Sequence, residues 1–397
     1  IYSNILALNL LFTMVSLGIY LFCIAAIPKL RQYDELFYIG TGKILFTAFL
    51  VEWFFTGIEN FRYITLRSIL IKVFYVISVF IFVRDTSDYR LYFILTVGVV
   101  VLNAFINQLY IRKFVRIRWC NIQLFKYIKP NITLGIYTLM SSMYLTFNVM
   151  YLGLVSDNTE VGYYTTAFKL YSVLLGFFTA FTSVMLPRMS SLLANGENAR
   201  FQELVDRSCS VVATFCIPLI LYGIILAPQI IYTLSGPEYE GAIFPMRIIM
   251  PAAFAVGMAQ VLAIQILMPM KKDRVLLMAS IIGAIVSLLI NLLVVPYVAS
   301  VGSAVVLLCS EMVVAATYVV YVLSHRLARI PIRIVWENIC YSLPGALVCW
   351  GCSRWIENEF VVVVCAVILA GTVWIIVQVI AKTSVGERMK SLLLLRR

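Results

Sequence analysis

The chain has 397 residues, of which 62% are hydrophobic and 13% charged, and its mean hydropathy is +0.96. Soluble domains carry about 25% charged residues, so a soluble globular fold is excluded. The formal net charge of +12 does not point to nucleic acid, because most of the cations lie in short linkers where membrane topology accounts for them.

Twelve apolar stretches follow one another at about 5–27, 37–58, 64–83, 90–110, 133–155, 163–185, 209–234, 244–269, 275–295, 301–323, 335–353 and 360–381. Each approaches the roughly 20 residues that a helix needs to cross about 30 Å of hydrocarbon. Backbone groups in lipid must be satisfied within a helix or a closed barrel, and the alternating ~10-residue pattern of a barrel is absent. The fold class is therefore all-α integral membrane, with about 12 transmembrane helices. Residues 1–115 read as an N-lobe of four spans and 116–325 as a C-lobe of six. Residues 326–397 read as two further spans and a basic tail. Linker 111–132 is basic and aromatic (Arg112, Lys113, Arg116, Arg118, Trp119) and suits an interfacial helix on anionic lipid. Linker 186–208 reads as a short surface helix. Lys and Arg concentrate in the linkers after even-numbered spans and at their membrane edges, with Arg62 and Arg67 in the turn 57–67 among them, which predicts that both ends of the chain are cytoplasmic.

Spans 1–4 match spans 7–10 in length and spacing at an offset of roughly 205–211 residues, the kind of internal repeat from which transporters are built. The repeat predicts two pseudo-symmetric helical lobes around a central cavity, plus a C-terminal helix pair. Spans 5–10 form a six-span unit, and spans 1–4 read as the same unit without its first two. The expectation is that ~80 residues and two spans lie upstream.

Enzyme chemistry finds little support. Gly40-Thr41-Gly42-Lys43-Ile44 lacks the strand–loop–helix context and the Ser/Thr of a phosphate loop. Asp85 and Asp88 are the nearest candidates for an external acidic site, and they read as solvated turn residues. Cys349 and Cys352 are one helical turn apart with no second pair or nearby His, and read as small apolar residues. His325 lies in a basic linker. No metal site and no cofactor are predicted.

Ionisable residues inside spans are the sharper signal, because an embedded charge costs roughly 2.5–3.5 kcal/mol or more. Lys72 falls in span 3, Lys169 in span 6, Glu52 in span 2 and Glu311 in span 10. Glu52 and Glu59 are seven residues apart, so they share a helix face. Lys43 and Arg247 lie near external ends, where snorkelling and a cavity role are both open. The cations outnumber the carboxylates, and an excess of embedded positive charge suits an anionic cargo. Glu52, Glu311 and Glu59 read as coupling groups or as members of buried ion pairs. Gln260, Gln265 and Asn291, with Asn103, Asn107 and Gln108, could hydrogen-bond a sugar chain or hold helices together.

Several segments together resemble bacterial polysaccharide flippases: Val161-Gly-Tyr-Tyr-Thr-Thr-Ala-Phe-Lys169, Leu186-Pro-Arg188, and Leu234-Ser-Gly-Pro-Glu-Tyr239 with Pro245 and Arg247. So do Gln260, Gln265, Pro269, Asn291 and Glu311, and in the first half Glu52-Trp-Phe-Phe-Thr-Gly57 with Glu59, Tyr63, Arg67 and Lys72. That family sits in the multidrug/oligosaccharidyl-lipid/polysaccharide exporter superfamily. The resemblance implies a 14-helix, two-lobed fold and the flipping of undecaprenyl-pyrophosphate-linked oligosaccharide, such as an O-antigen unit, by alternating access. It also implies a cationic cavity, to which Lys72, Lys169, Lys43 and Arg247 correspond, and coupling to a H+ or Na+ gradient. The implied setting is the bacterial inner membrane. The implied partners are the lipid-linked oligosaccharide, membrane lipids and other polysaccharide-assembly proteins, with no nucleic acid. Rival readings are a multidrug or cation antiporter, a lipid-II flippase, and a membrane glycan polymerase or ligase.

Overall fold

A computed structural model describes residues 2–27, 31, 34–58, 60–115, 123–331 and 333–381. Among these every regular element is a helix, as the hydrocarbon setting demands of a chain this apolar. The residues fall into two compact units, divided between Ile132 and Thr133.

The first unit contains α1 (Tyr2–Ala26), α2 (Asp34–Thr47), α3 (Glu52–Gly57), α4 (Phe61–Phe82) and α5 (Tyr89–Ile111). Helix α5 is its hub, with α2 and α4 packed against it. The turn before α5 is closed by Asp88, whose carboxylate accepts the backbone N–H of Arg84 at 3.0 Å and of Asp85 at 3.1 Å. Those two donors hold the Asp88 carboxyl below its usual range, and its role is that of a turn cap.

The predicted span 37–58 is not one continuous helix. It stops at Thr47 and restarts at Glu52, and Val51 takes a positive φ of 42° between them. A β-branched residue is sterically disfavoured there, so tertiary contacts must hold it. Val51 is buried with Tyr2, Leu6, Phe55 and Ile111 in the unit's small core.

The second unit begins within α6 (Leu124–Ser142), which continues through a π-helical turn (Met143–Phe147) into α7 (Asn148–Val155). Then come α8 (Asn158–Ala194), α9 (Asn198–Ile225), α10 (Ala227–Ser235), α11 (Ile243–Ile249) and α12 (Ala252–Gln260). A second π-helical stretch (Val261–Leu267) precedes α13 (Asp273–Leu293), α14 (Val295–Ser324), α15 (Arg333–Trp355) and α16 (Glu359–Ile380). The polar residues 186–208 do not form a helix of their own: they extend the end of α8 and the start of α9, with a turn at Gly196. Helices α13 and α14 lie side by side. A Cβ on Gly283 would come within 2.6 Å of Val314, so a residue without one permits this approach.

Among the described residues ten helical stretches are long and apolar enough to cross a membrane, one of them Asp34–Gly57 across the α2–α3 break, and the pair Pro237–Ile249 and Ala252–Leu267, bent by 44°, makes an eleventh if it is one span. The remaining predicted segment, 335–353, forms α15. It carries Arg333, Glu337, Asn338 and Arg354, is less apolar than the others, and packs on α9 and α16. Spans 2 and 8, counterparts in the sequence repeat, are both broken helices.

Candidate functional site

Each unit carries an apolar cavity, and in each a lysine stands within one helical turn of residues that line it. In the first, a cavity of about 670 Å³ is lined by Ile39, Phe46, Ile71, Phe74, Val97 and Phe105, among others. Lys43 lies between Ile39 and Phe46 at i+4 and i−3, so the three share one face of α2. Lys72 follows Ile71 on α4. In the second unit, a cavity of about 370 Å³ is lined by Leu170, Val173, Phe215, Tyr222, Met246 and Trp374, among others, and Lys169 stands one turn before Val173 on α8. Lys43, Lys72 and Lys169 are all exposed, and none of them pairs with a carboxylate among the described residues. Arg247 is exposed and donates from Nε to the Ile224 carbonyl at 3.2 Å. A free cation beside an apolar cavity can hold an anionic head while the cavity takes up hydrocarbon.

Glu311 is different in kind. It is 3% exposed, and Tyr171 donates its hydroxyl to Oε1 at 3.1 Å. Tyr137, Tyr144, Tyr164 and Tyr318 all lie within electrostatic reach of its carboxylate. No cation pairs with Glu311 among the described residues, although an ionised carboxylate is expensive to bury without one. Beside this group, Asn148 donates to the Tyr164 hydroxyl at 3.1 Å and to the Ser303 carbonyl at 2.9 Å. Helix spacing could have pointed to part of this cage: Tyr318 lies two turns beyond Glu311, and Tyr164 and Tyr171 share a face of α8.

The polar candidates divide. Gln260 donates to Thr179 at 3.1 Å and accepts from Thr182 at 3.2 Å, tying α12 to α8. Asn291 donates to the Ser287 carbonyl at 3.0 Å on its own helix. Gln265 is fully buried, and neither end of its amide finds a partner among the described residues.

In the first unit, Glu52 heads α3 and pairs with Arg67 at 2.6 Å. Arg67 also donates to Asn107, which accepts from Tyr63 at 3.0 Å and donates to the Leu50 carbonyl in the α2–α3 break. Gln108 caps the neighbouring Phe49 carbonyl at 3.0 Å. Sequence reading placed Arg67 at a cytoplasmic turn, but it is a buried member of this network. Glu59 lies outside the described residues, so its shared face with Glu52 has no structural counterpart here. Cys349 and Cys352 are buried, unbridged and packed in the small core between α15 and α16.

Residues 1–193 match the family described as "Polysaccharide biosynthesis protein". A protein of Escherichia coli (strain K12) named "Putative O-antigen transporter" is 27% identical over 310 residues, 76% of this chain and 73% of that protein. A protein of the same name from Shigella dysenteriae is 23% identical over 325 residues, 79% of each. Among solved structures, the lipid II flippase MurJ in its inward closed conformation superimposes with a TM-score of 0.77 at 14% identity, over 95% of this chain and 82% of that one. These relatives are transporters and flippases, not enzymes. The chain is thus an all-α, multi-pass membrane protein that matches the polysaccharide biosynthesis family across its first 193 residues, and its resemblance to flippases of the multidrug/oligosaccharidyl-lipid/polysaccharide exporter superfamily holds.

Proposed function

We propose that this chain is a flippase that moves a polyprenyl-pyrophosphate-linked oligosaccharide, an O-antigen or other surface-polysaccharide unit, across the bacterial inner membrane by alternating access. The observation that carries this reading is the similarity to an O-antigen transporter over 76% of the chain. The site chemistry supports it. Lys43, Lys72 and Lys169 are exposed, pair with no carboxylate among the described residues, and stand within one helical turn of residues that line apolar cavities, an arrangement that suits a pyrophosphate head on a hydrocarbon tail. A cation antiporter needs the opposite sign of charge. Both chain ends face the cytoplasm in this reading, as the distribution of Lys and Arg requires.

Complementation tests it. In a bacterium lacking its own O-antigen flippase, this chain, with whatever precedes it in its gene, is expected to restore surface polysaccharide and clear the lipid-linked intermediate. Good membrane expression with no rescue across several glycan types would reject the reading. Rescue of a strain lacking its lipid II flippase instead would move the cargo to the cell-wall precursor.

Glu311 is the group we assign to coupling, because it is the buried carboxylate without a cation among the described residues. Glu311→Gln keeps the shape and a partner for Tyr171 but removes the titrating proton. Transport by this variant in vesicles is expected to lose its dependence on a pH gradient. A gradient dependence equal to wild type would assign coupling elsewhere.

A further inference from the structure

The Glu52–Arg67 pair is lopsided: the Arg67 side chain is 3% exposed and that of Glu52 is 52% exposed. Glu52 can therefore leave for a polar surrounding at little cost. Arg67 cannot, because its side chain is buried against Asn107 of α5, and a guanidinium without a counter-charge is costly to bury. So the pair opens only when another anion takes the place of the Glu52 carboxylate. Arg67 is prepared for one. Nη1 is held by Asn107, and Nη2 is shared between Glu52 and Ser68, which accepts at 3.2 Å. Nε is buried without a hydrogen-bond partner. Glu52 also heads a helix of only six residues, joined to α2 through the left-handed Val51, a backbone conformation of the sort stored at switches. What holds the break in place is the pair of amides, Asn107 and Gln108, on the Leu50 and Phe49 carbonyls.

We propose that Glu52 is an internal stand-in for a phosphate: an entering phosphate group takes the Arg67 guanidinium from it, and α3 swings about the Thr47–Glu52 break. Glu52 holds Arg67 through the single Nη2–Oε1 contact; one phosphate oxygen can take that contact while a second reaches the unpartnered Nε, the fork in which a guanidinium binds phosphate. The proposal rests on the flippase reading only for where the phosphate comes from.

Trp53, the next residue on α3, stacks on Tyr2 with ring centroids 5.8 Å apart, so its emission reports on movement of α3. The full chain in phosphatidylcholine nanodiscs is titrated with a polyprenyl phosphate, with inorganic pyrophosphate and with the uncharged polyprenol. The Trp53 signal is taken as the difference from Trp53→Phe protein. The polyprenyl phosphate is expected to shift the emission and the polyprenol to leave it unchanged. A response to pyrophosphate as well assigns a soluble phosphate source, and a response to the lipid alone assigns a headgroup. Arg67→Gln is expected to abolish the shift. Glu52→Gln removes the competing charge at a half-exposed position and is expected to lower the midpoint about tenfold, a gain that a purely structural pair would not give. No shift with either phosphate, an equal shift with polyprenol, or an unchanged midpoint in Glu52→Gln overturns the proposal. The readout needs no transport, so its failure is separable from a failure to complement.

Discussion

Lys169→Ala is expected to cut flipping by about ten- to hundredfold while leaving the amount of protein in the membrane unchanged, the factor that one charge-assisted contact to a phosphate supplies. The stability half of this expectation follows from the side chain's surroundings: Lys169 is exposed and pairs with no carboxylate among the described residues, so truncating it leaves nothing buried behind. The activity half follows from its place on α8, one turn from the cavity wall at Val173. Lys169→Arg keeps the charge and is expected to retain most of the transport. The check is accumulation of the lipid-linked intermediate beside an immunoblot of the membranes. Full transport by Lys169→Ala would remove the residue from the headgroup site.

The largest structural effect is expected at Asn107. Its side chain accepts from Arg67 and Tyr63 and donates to the Leu50 carbonyl. Asn107→Leu, similar in size, leaves a buried guanidinium nitrogen and a half-buried carbonyl without their partners. Each such loss costs about 1–3 kcal/mol, so about 2–6 kcal/mol is expected for the variant. Asn107→Asp keeps the acceptor for Arg67 and loses only the donor to Leu50, so its loss is expected to be smaller. Thermal unfolding of the full chain in detergent orders the three proteins. An Asn107→Leu melting curve that overlays wild type would mean that the network contributes no stability.

How much of this was legible beforehand depends on the kind of feature. The spans read at 64–83 and 275–295 form α4 (Phe61–Phe82) and α13 (Asp273–Leu293), because an uninterrupted apolar run in lipid has no alternative to helix. The break at Val51 left no trace. Hydropathy does not register it, no proline or glycine stands between Thr47 and Glu52, and the cause lies in two amides 57 and 59 residues further on. Arg67 was misplaced for a related reason: a cation near the end of a span reads as a linker charge until its partners, 15 and 40 residues away, are known. The embedded charges could be picked out by their cost, but whether each is paired or free is a tertiary fact. Glu52 proved to be paired with Arg67, while Lys72 and Lys169 have no carboxylate partner among the described residues.

The α2–α3 break also bears on how the chain can be recombined with its relatives. Its polar network runs from Phe49 to Gln108, and every member lies on the same side of the division between Ile132 and Thr133. A hybrid joined at that division inherits the network whole from one parent. A crossover anywhere between Glu52 and Asn107 gives the break from one parent and the residues that support it from another. Exchanges made to map cargo preference are therefore best cut at the division, so that a silent hybrid reports on cargo and not on a helix break that has lost its support.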